Sequence, residues 1–292
     1  MNHPVILVAE LTIREAARRR IFLAIILLSL LYVALFGLGF GFLIQEVARE
    51  EAARPATETA PQAAMLVPPI MTTLGIYGLN LMAGGAALFL GAGTLAGEVA
   101  SGLMQVVAAR PLRRGDIVVG KWLGLLVIAT LYMAGTFALL LLVVWVLSGY
   151  VPPLPLPAVG LLVLEMALLL AIALLGSALF STVTNGIVIF MLYGAAWIGG
   201  FIEQIGAALR SDLMVNLGIV VSLLMPSDVL WRAASFYLQP SWLLLMQNAA
   251  AAGTGLPFAA STPTAPAMLI WAGLYTVAAL GSAIAVFSHR DL

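Results

Sequence analysis

Along the chain, long uncharged stretches alternate with short polar islands, and the stretch lengths set the expected elements. Ile21 to Ile44 is free of charge over 24 residues, and no charged residue occurs from Thr59 to Gly97 or from Trp122 to Leu164. About 20 apolar residues at ~1.5 Å rise cross the ~30 Å hydrocarbon core of a bilayer. The pattern therefore predicts membrane-spanning helices over 21–44, 65–97, 122–147, 158–181, 187–202 and 267–287. Pro68 and Pro69 mark an entry segment ahead of the second span proper. Ser148 to Pro157, SGYVPPLPLP, reads as a stiff extended connection, and Thr182 to Gly186, TVTNG, as a tight turn pairing spans four and five in a hairpin. Small residues such as Gly84, Gly91, Gly199 and Gly200 allow close helix approach.

The polar islands fix the expected topology. Residues 1–20 mix Leu7, Val8, Leu11 and Ile13 with Glu10, Arg14 and Glu15, a pattern that suits a helix lying along the membrane interface. Arg18, Arg19 and Arg20 hold the start of the first span in the cytoplasm. A secretory signal has an h-region of only about 7–15 residues, so the first run reads as a retained span. Residues 203–266 carry Arg210, Asp212, Asp228 and Arg232 around Leu213 to Met225, an apolar stretch too short to span. Re-entrant or interfacial helices on the external side fit it, and the uncharged stretch Ser235 to Ala252 leaves a seventh span open. Six spans put both termini in the cytoplasm. Of the 13 Lys and Arg, only Arg49, Arg54, Arg210 and Arg232 then fall outside. The expectation is an all-α polytopic protein of the cytoplasmic membrane, one domain over 1–292, with the lipid bilayer as its solvent.

Composition agrees. The chain is 63% hydrophobic and 9% charged, against about 25% charged in soluble domains, and its mean hydropathy is +1.10. Net charge is zero, so nothing points to nucleic acid. There is no cysteine, and His3 and His289 stand at opposite ends, so no metal site is expected.

Glu98 to Lys121, EVASGLMQVVAARPLRRGDIVVGK, is a basic island fixed at both ends to spans and expected inside the cell. Glu98 to Ala109 suits a helix of about three turns with an apolar stripe of Leu103, Val106 and Val107; Pro111 ends it, and Arg110, Arg113 and Arg114 form a basic cluster. Such a tethered amphipathic helix can seat in a groove on a soluble partner; charge alone would also suit an ordinary cytoplasmic loop. Gly115 to Lys121 matches the phosphate-binding pattern GxxxxGK, but Trp122 stands where a Ser or Thr should hold magnesium, and a span rather than a strand adjoins it. No nucleotide site is expected on this chain. Neither HExxH nor GxSxG occurs, and Glu165 is the one charge near mid-membrane. A charged residue there costs roughly 2.5–3.5 kcal/mol. Glu165 reads equally as a polar site in a substrate or proton path and as a hydrogen bond between helices.

At the island the chain resembles the permease subunits of ABC-2 type ATP-binding-cassette transporters, in the order Glu98, Gly102, Leu103, Pro111, Arg113 or Arg114, Gly120 and Lys121. The opening IREAARRRIF and the closing FSHRDL extend the likeness, as does the order of spans. The branch that looks nearest is that of multicopper-enzyme maturation permeases, although this chain has no Cys or His cluster for copper. The resemblance implies a non-catalytic transmembrane subunit, mostly an exporter in such families, that pairs as a homodimer or paralogous heterodimer with separate ATPase subunits. ATP and magnesium would then sit on the ATPase. Residues 1–20 would be the elbow helix and 98–121 the coupling loop, with Glu98, Gly102, Leu103, Val106, Arg110, Pro111, Arg113, Arg114 and Lys121 docking the ATPase. The alternative is a membrane scaffold or sensor that holds a soluble ATPase without moving a solute. A secondary carrier would show ionisable residues on several spans or inverted repeats, and neither is evident.

Overall fold

The computed structural model describes residues 4–53, 62–97, 113–249, 256 and 258–289. All regular structure among them is helical: α1 (Pro4–Arg18), α2 (Arg20–Ala53), α3 (Gln62–Ala92), α4 (Arg114–Ser148), α5 (Pro155–Leu179), α6 (Thr182–Leu209), α7 (Asp212–Leu224), α8 (Ser227–Leu238), α9 (Ser241–Ala249) and α10 (Pro266–Ser288). Six of these, α2 to α6 and α10, are long and apolar enough to span a bilayer. The fold is an all-α polytopic membrane bundle.

α5 is its axis. It packs against α3, α4, α6, α8 and α10, and Glu165 to Leu174 are buried without a break. A helix that is apolar on every side belongs inside a bundle, and α5 has only one charged residue to accommodate there. Its apolar window is 67% buried, against 11% for α2 at the periphery. The exposed Leu27, Leu31, Leu35, Leu38 and Phe42 of α2 face outward, as lipid-facing side chains do.

Polar side chains join the helices at both ends. At the end near α1, Ser177 Oγ of α5 accepts from the backbone amides of Leu95 (3.0 Å) and Ala96 (2.9 Å). Asn185 Nδ2 of α6 donates to the carbonyls of Ala92 (2.8 Å) and Ala173 (2.9 Å). Orphan helix-end groups thus find partners without water. At the opposite end, Tyr150 Oη donates to the Leu238 carbonyl at 3.0 Å. α1 lies against the start of α4, where Gly120 and Gly124 leave room for it. A Cβ on Gly120 would come within 2.7 Å of Val8 Cβ, and one on Gly124 within 2.7 Å of the Ala9 carbonyl oxygen.

Several boundaries differ from the sequence reading, each for a local reason. α2 runs past 44 to Ala53, because Gln45 to Ala53 is rich in helix-forming Glu, Ala and Arg; residues 54–61 lie outside the described residues. Pro68 and Pro69 stand inside α3 rather than before it. They are its seventh and eighth residues, past the first turn, so each removes one intrahelical bond, and Thr72 and Thr73 donate their hydroxyls to the carbonyls of Pro68 and Pro69 at 2.7 and 2.9 Å. α4 begins at Arg114, inside the basic island. TVTNG is the first turn of α6, not a loop: Ser181 is its N-cap, accepting from the Thr184 amide. α6 continues to Leu209, so Glu203 is on a span helix rather than in an external connection. Ser235 to Ala252 is broken at Gln239–Pro240, leaving α8 and α9 too short for a seventh span there. The apolar stretch from Leu213 makes up most of α7, which turns into α8 through a bend of 103°. The two make a re-entrant pair between spans five and six.

Candidate functional site

The expected docking loop is described only at its exit. Glu98, Gly102, Leu103, Val106, Arg110 and Pro111 lie outside the described residues. Arg113 is extended and exposed, as the residue ahead of α4. Arg114 Nη1 donates to the carbonyls of Phe287 (3.2 Å) and Ser288 (2.9 Å), where the negative end of α10 favours a cation. Lys121 is 5% exposed. The island's last residues are thus divided between a tie to the final helix, a buried side chain and an exposed Arg113. Gly115 to Lys121 is helical, so the stretch does not form a loop that curls round a phosphate.

The second site lies midway through the bundle. Glu165 is ten residues into α5, or about 15 Å from its start, and only 1% exposed. Asn80 Nδ2 of α3, itself 2% exposed, donates to Glu165 Oε2 at 3.0 Å. A cavity of about 10 Å³ adjoins the pair, lined also by Tyr77 of α3, Tyr193 of α6, and Ser227 and Asp228 at the start of α8. Tyr77 accepts from the indole N–H of Trp197. The bend between α7 and α8 places Ser227 and Asp228 here, since it drives the N-terminus of α8 into the bundle beside α5.

An ion cluster continues outward from Asp228. Arg232 Nη2 donates to Glu203 Oε2 at 2.6 Å, and Arg232 Nε stands 2.8 Å from Asp228 Oδ2. That second contact is an ion pair without hydrogen-bond alignment, and Asp228 Oδ2 is left with no aligned donor. Glycines make the close approach possible: a Cβ on Gly200 would collide with the Asp228 carboxylate, and one on Gly199 would come within 2.5 Å of Val221. Arg232 and Glu203 also border a larger cavity of about 350 Å³, lined too by Ser222, Thr262 and Thr264 among others. Polar residues from three span helices and the re-entrant pair therefore stand in series, a polar path of side chains from that cavity through the Asp228–Arg232 pair to the lining of the small cavity at Glu165.

Of the sequence candidates, the path contains Glu165 alone. Asn80, the only side-chain amide between Ala63 and Gly97, was the available signal for its partner. Asp228 and Arg232 stood out as charges within the external re-entrant or interfacial region, with no role assigned; their i,i+4 spacing was the clue to a shared helix face. Glu203 and Ser227 had none.

No curated protein shows significant sequence similarity to the chain. A family model described as "ABC-2 family transporter protein" matches residues 6–292. With six span helices and a match over nearly its whole length, the chain belongs to the ABC-2 transporter family.

Proposed function

We propose that this chain, a membrane permease component of an ABC transporter, is the non-catalytic half of an ATP-driven exporter. A separate ATPase works it through residues 98–121, and two copies or two paralogues form the permease pair. ATP and magnesium belong to the ATPase. The charge bias of the basic segments supports a cytoplasmic position at the inner membrane for both chain ends and this loop.

The observation that carries the reading is mechanical. The loop's exit feeds directly into α4, with no hinge after Arg113. Next to it α4 is braced by α1 across Gly120 and Gly124, and by α10 through Arg114. A push on the loop would move this assembly as a unit, the kind of rigid-body input that drives such transitions. The polar path at Glu165 favours a transporting role over a passive scaffold, because intramembrane carboxylates are costly and mark pathways.

The test is co-purification of the tagged chain with its ATPase. Arg110→Glu with Arg113→Glu should reduce recovery of the ATPase at least tenfold while leaving membrane insertion intact. Undiminished recovery would refute docking through the loop. Arg114 is left unchanged in this test because it holds the end of α10.

A further inference from the structure

The small cavity beside Glu165 has a distinctive lining. Two buried polar atoms have no partner, Asn80 Oδ1 and Ser227 Oγ, and beside them Asp228 Oδ2 has only its ion pair with Arg232. Their residues all border this one cavity. Asn80 and Ser227 are 2% and 1% exposed. Asn80 has turned its amide nitrogen to Glu165, which leaves its carbonyl oxygen as the free end. The Asn80 oxygen is a pure acceptor, as is the Asp228 carboxylate, and the Ser227 hydroxyl can also accept.

Charge sharpens the point. Glu165, Asp228 and Glu203 are three carboxylates, and among the described residues Arg232 is the cation that pairs within the group. Arg232 is engaged by Asp228 and Glu203, so among the described residues no cation lines the cavity to face Glu165, whose ionised form would carry an uncompensated charge, a deficit that is expensive in a low-dielectric interior. A neutral guest would supply hydrogen bonds and leave that deficit. A positive guest meets both needs. At about 10 Å³ the cavity suits a particle the size of one water. Oxygen donors of this kind suit hard cations.

We propose that this cavity is a binding site for one small monovalent cation, either sodium or a proton carried as hydronium, held by Glu165, Asn80, Ser227 and Asp228. The titratable groups facing it are Tyr77 from α3, Tyr193 from α6 and Asp228 from α8, with Glu203 and Arg232 behind Asp228. α4 and α10, also packed on α5, contribute nothing to its lining. The 350 Å³ cavity bordered by Glu203 and Arg232 lies on the other side of the Asp228–Arg232 ion pair. Occupancy would tie α3, α5 and α8 together, and so bias any movement of the re-entrant pair against the bundle.

The experiment is thermal unfolding of the purified full-length chain in nanodiscs, with no ATPase present. In one arm sodium is raised from about 1 to about 100 mM at constant ionic strength in choline; in the other, pH is varied without sodium. A midpoint that climbs on the order of 5 °C with sodium, and not with choline, identifies sodium. A rise of similar size on acidification, indifferent to sodium, identifies the proton. In either case Glu165→Gln should abolish the response. Ser227→Ala, which removes a single oxygen, should weaken the sodium response about tenfold, or shift the pH midpoint if the proton is the guest. A midpoint that follows neither variable, or responses unchanged in both variants, overturns the proposal. Since no ATPase enters the assay, its failure would leave the permease reading standing.

Discussion

Arg232 is the residue on which the buried cluster most depends. Its guanidinium lies between Glu203 and Asp228, with side-chain exposures of 14%, 24% and 10% for the three. Removing one partner of a buried pair leaves the others uncompensated, at a cost of about 3–5 kcal/mol. Arg232→Leu should therefore lower the thermal midpoint markedly, and the further change of Glu203 and Asp228 to Gln and Asn should restore much of it. If Arg232→Leu alone were neutral in a melting assay, the cluster would not be held by charge. The sequence shows each of these charges plainly but not their convergence. Glu203 and Arg232 are 29 positions apart, and only the fold-back of α7 and α8 brings them together. Glu165 was legible because one carboxylate breaks an apolar run and needs a partner there, whether in a path or in a hydrogen bond between helices. Asn80 was not, because a lone amide carries no charge to break the pattern.

At the scale of elements, apolar runs located every span but misplaced many of its ends. Hydropathy marks where a helix meets lipid, whereas helix length follows backbone propensity and caps; α2 and α4 therefore run on through charged residues. The fit of α1 on α4 rests on two glycines, and Gly124→Leu should force the helices apart. The expected outcome is faster proteolysis of the first 18 residues in detergent, with the bundle still folded; an unchanged digestion pattern would contradict that packing. The α6–α7 hairpin closes on Arg210, which adopts a left-handed conformation at φ 54°. A non-glycine residue pays roughly 1–2 kcal/mol there. Arg210→Gly should raise stability by about 1 kcal/mol in chemical unfolding, and a loss of stability would show that the side chain holds the turn.

For the whole molecule, α5 forms a fixed axis, with the loop's exit at one end and the re-entrant pair at the other. The family match covers 6–292, and this layout offers a route by which force at the loop reaches the polar path about half a bundle away. A scaffold would need the loop but not the path. Because the chain has no cysteine, single cysteines can be introduced and spin-labelled without background. The decisive measurement is the distance between labels at Leu213→Cys, on α7, and Leu156→Cys, on α5, both exposed positions, in the complex with its ATPase in nanodiscs. The account predicts that ATP with vanadate shifts this distance distribution, and that Arg110→Glu with Arg113→Glu removes the shift. An ATPase that stays bound and turns over while the distance never changes would contradict it.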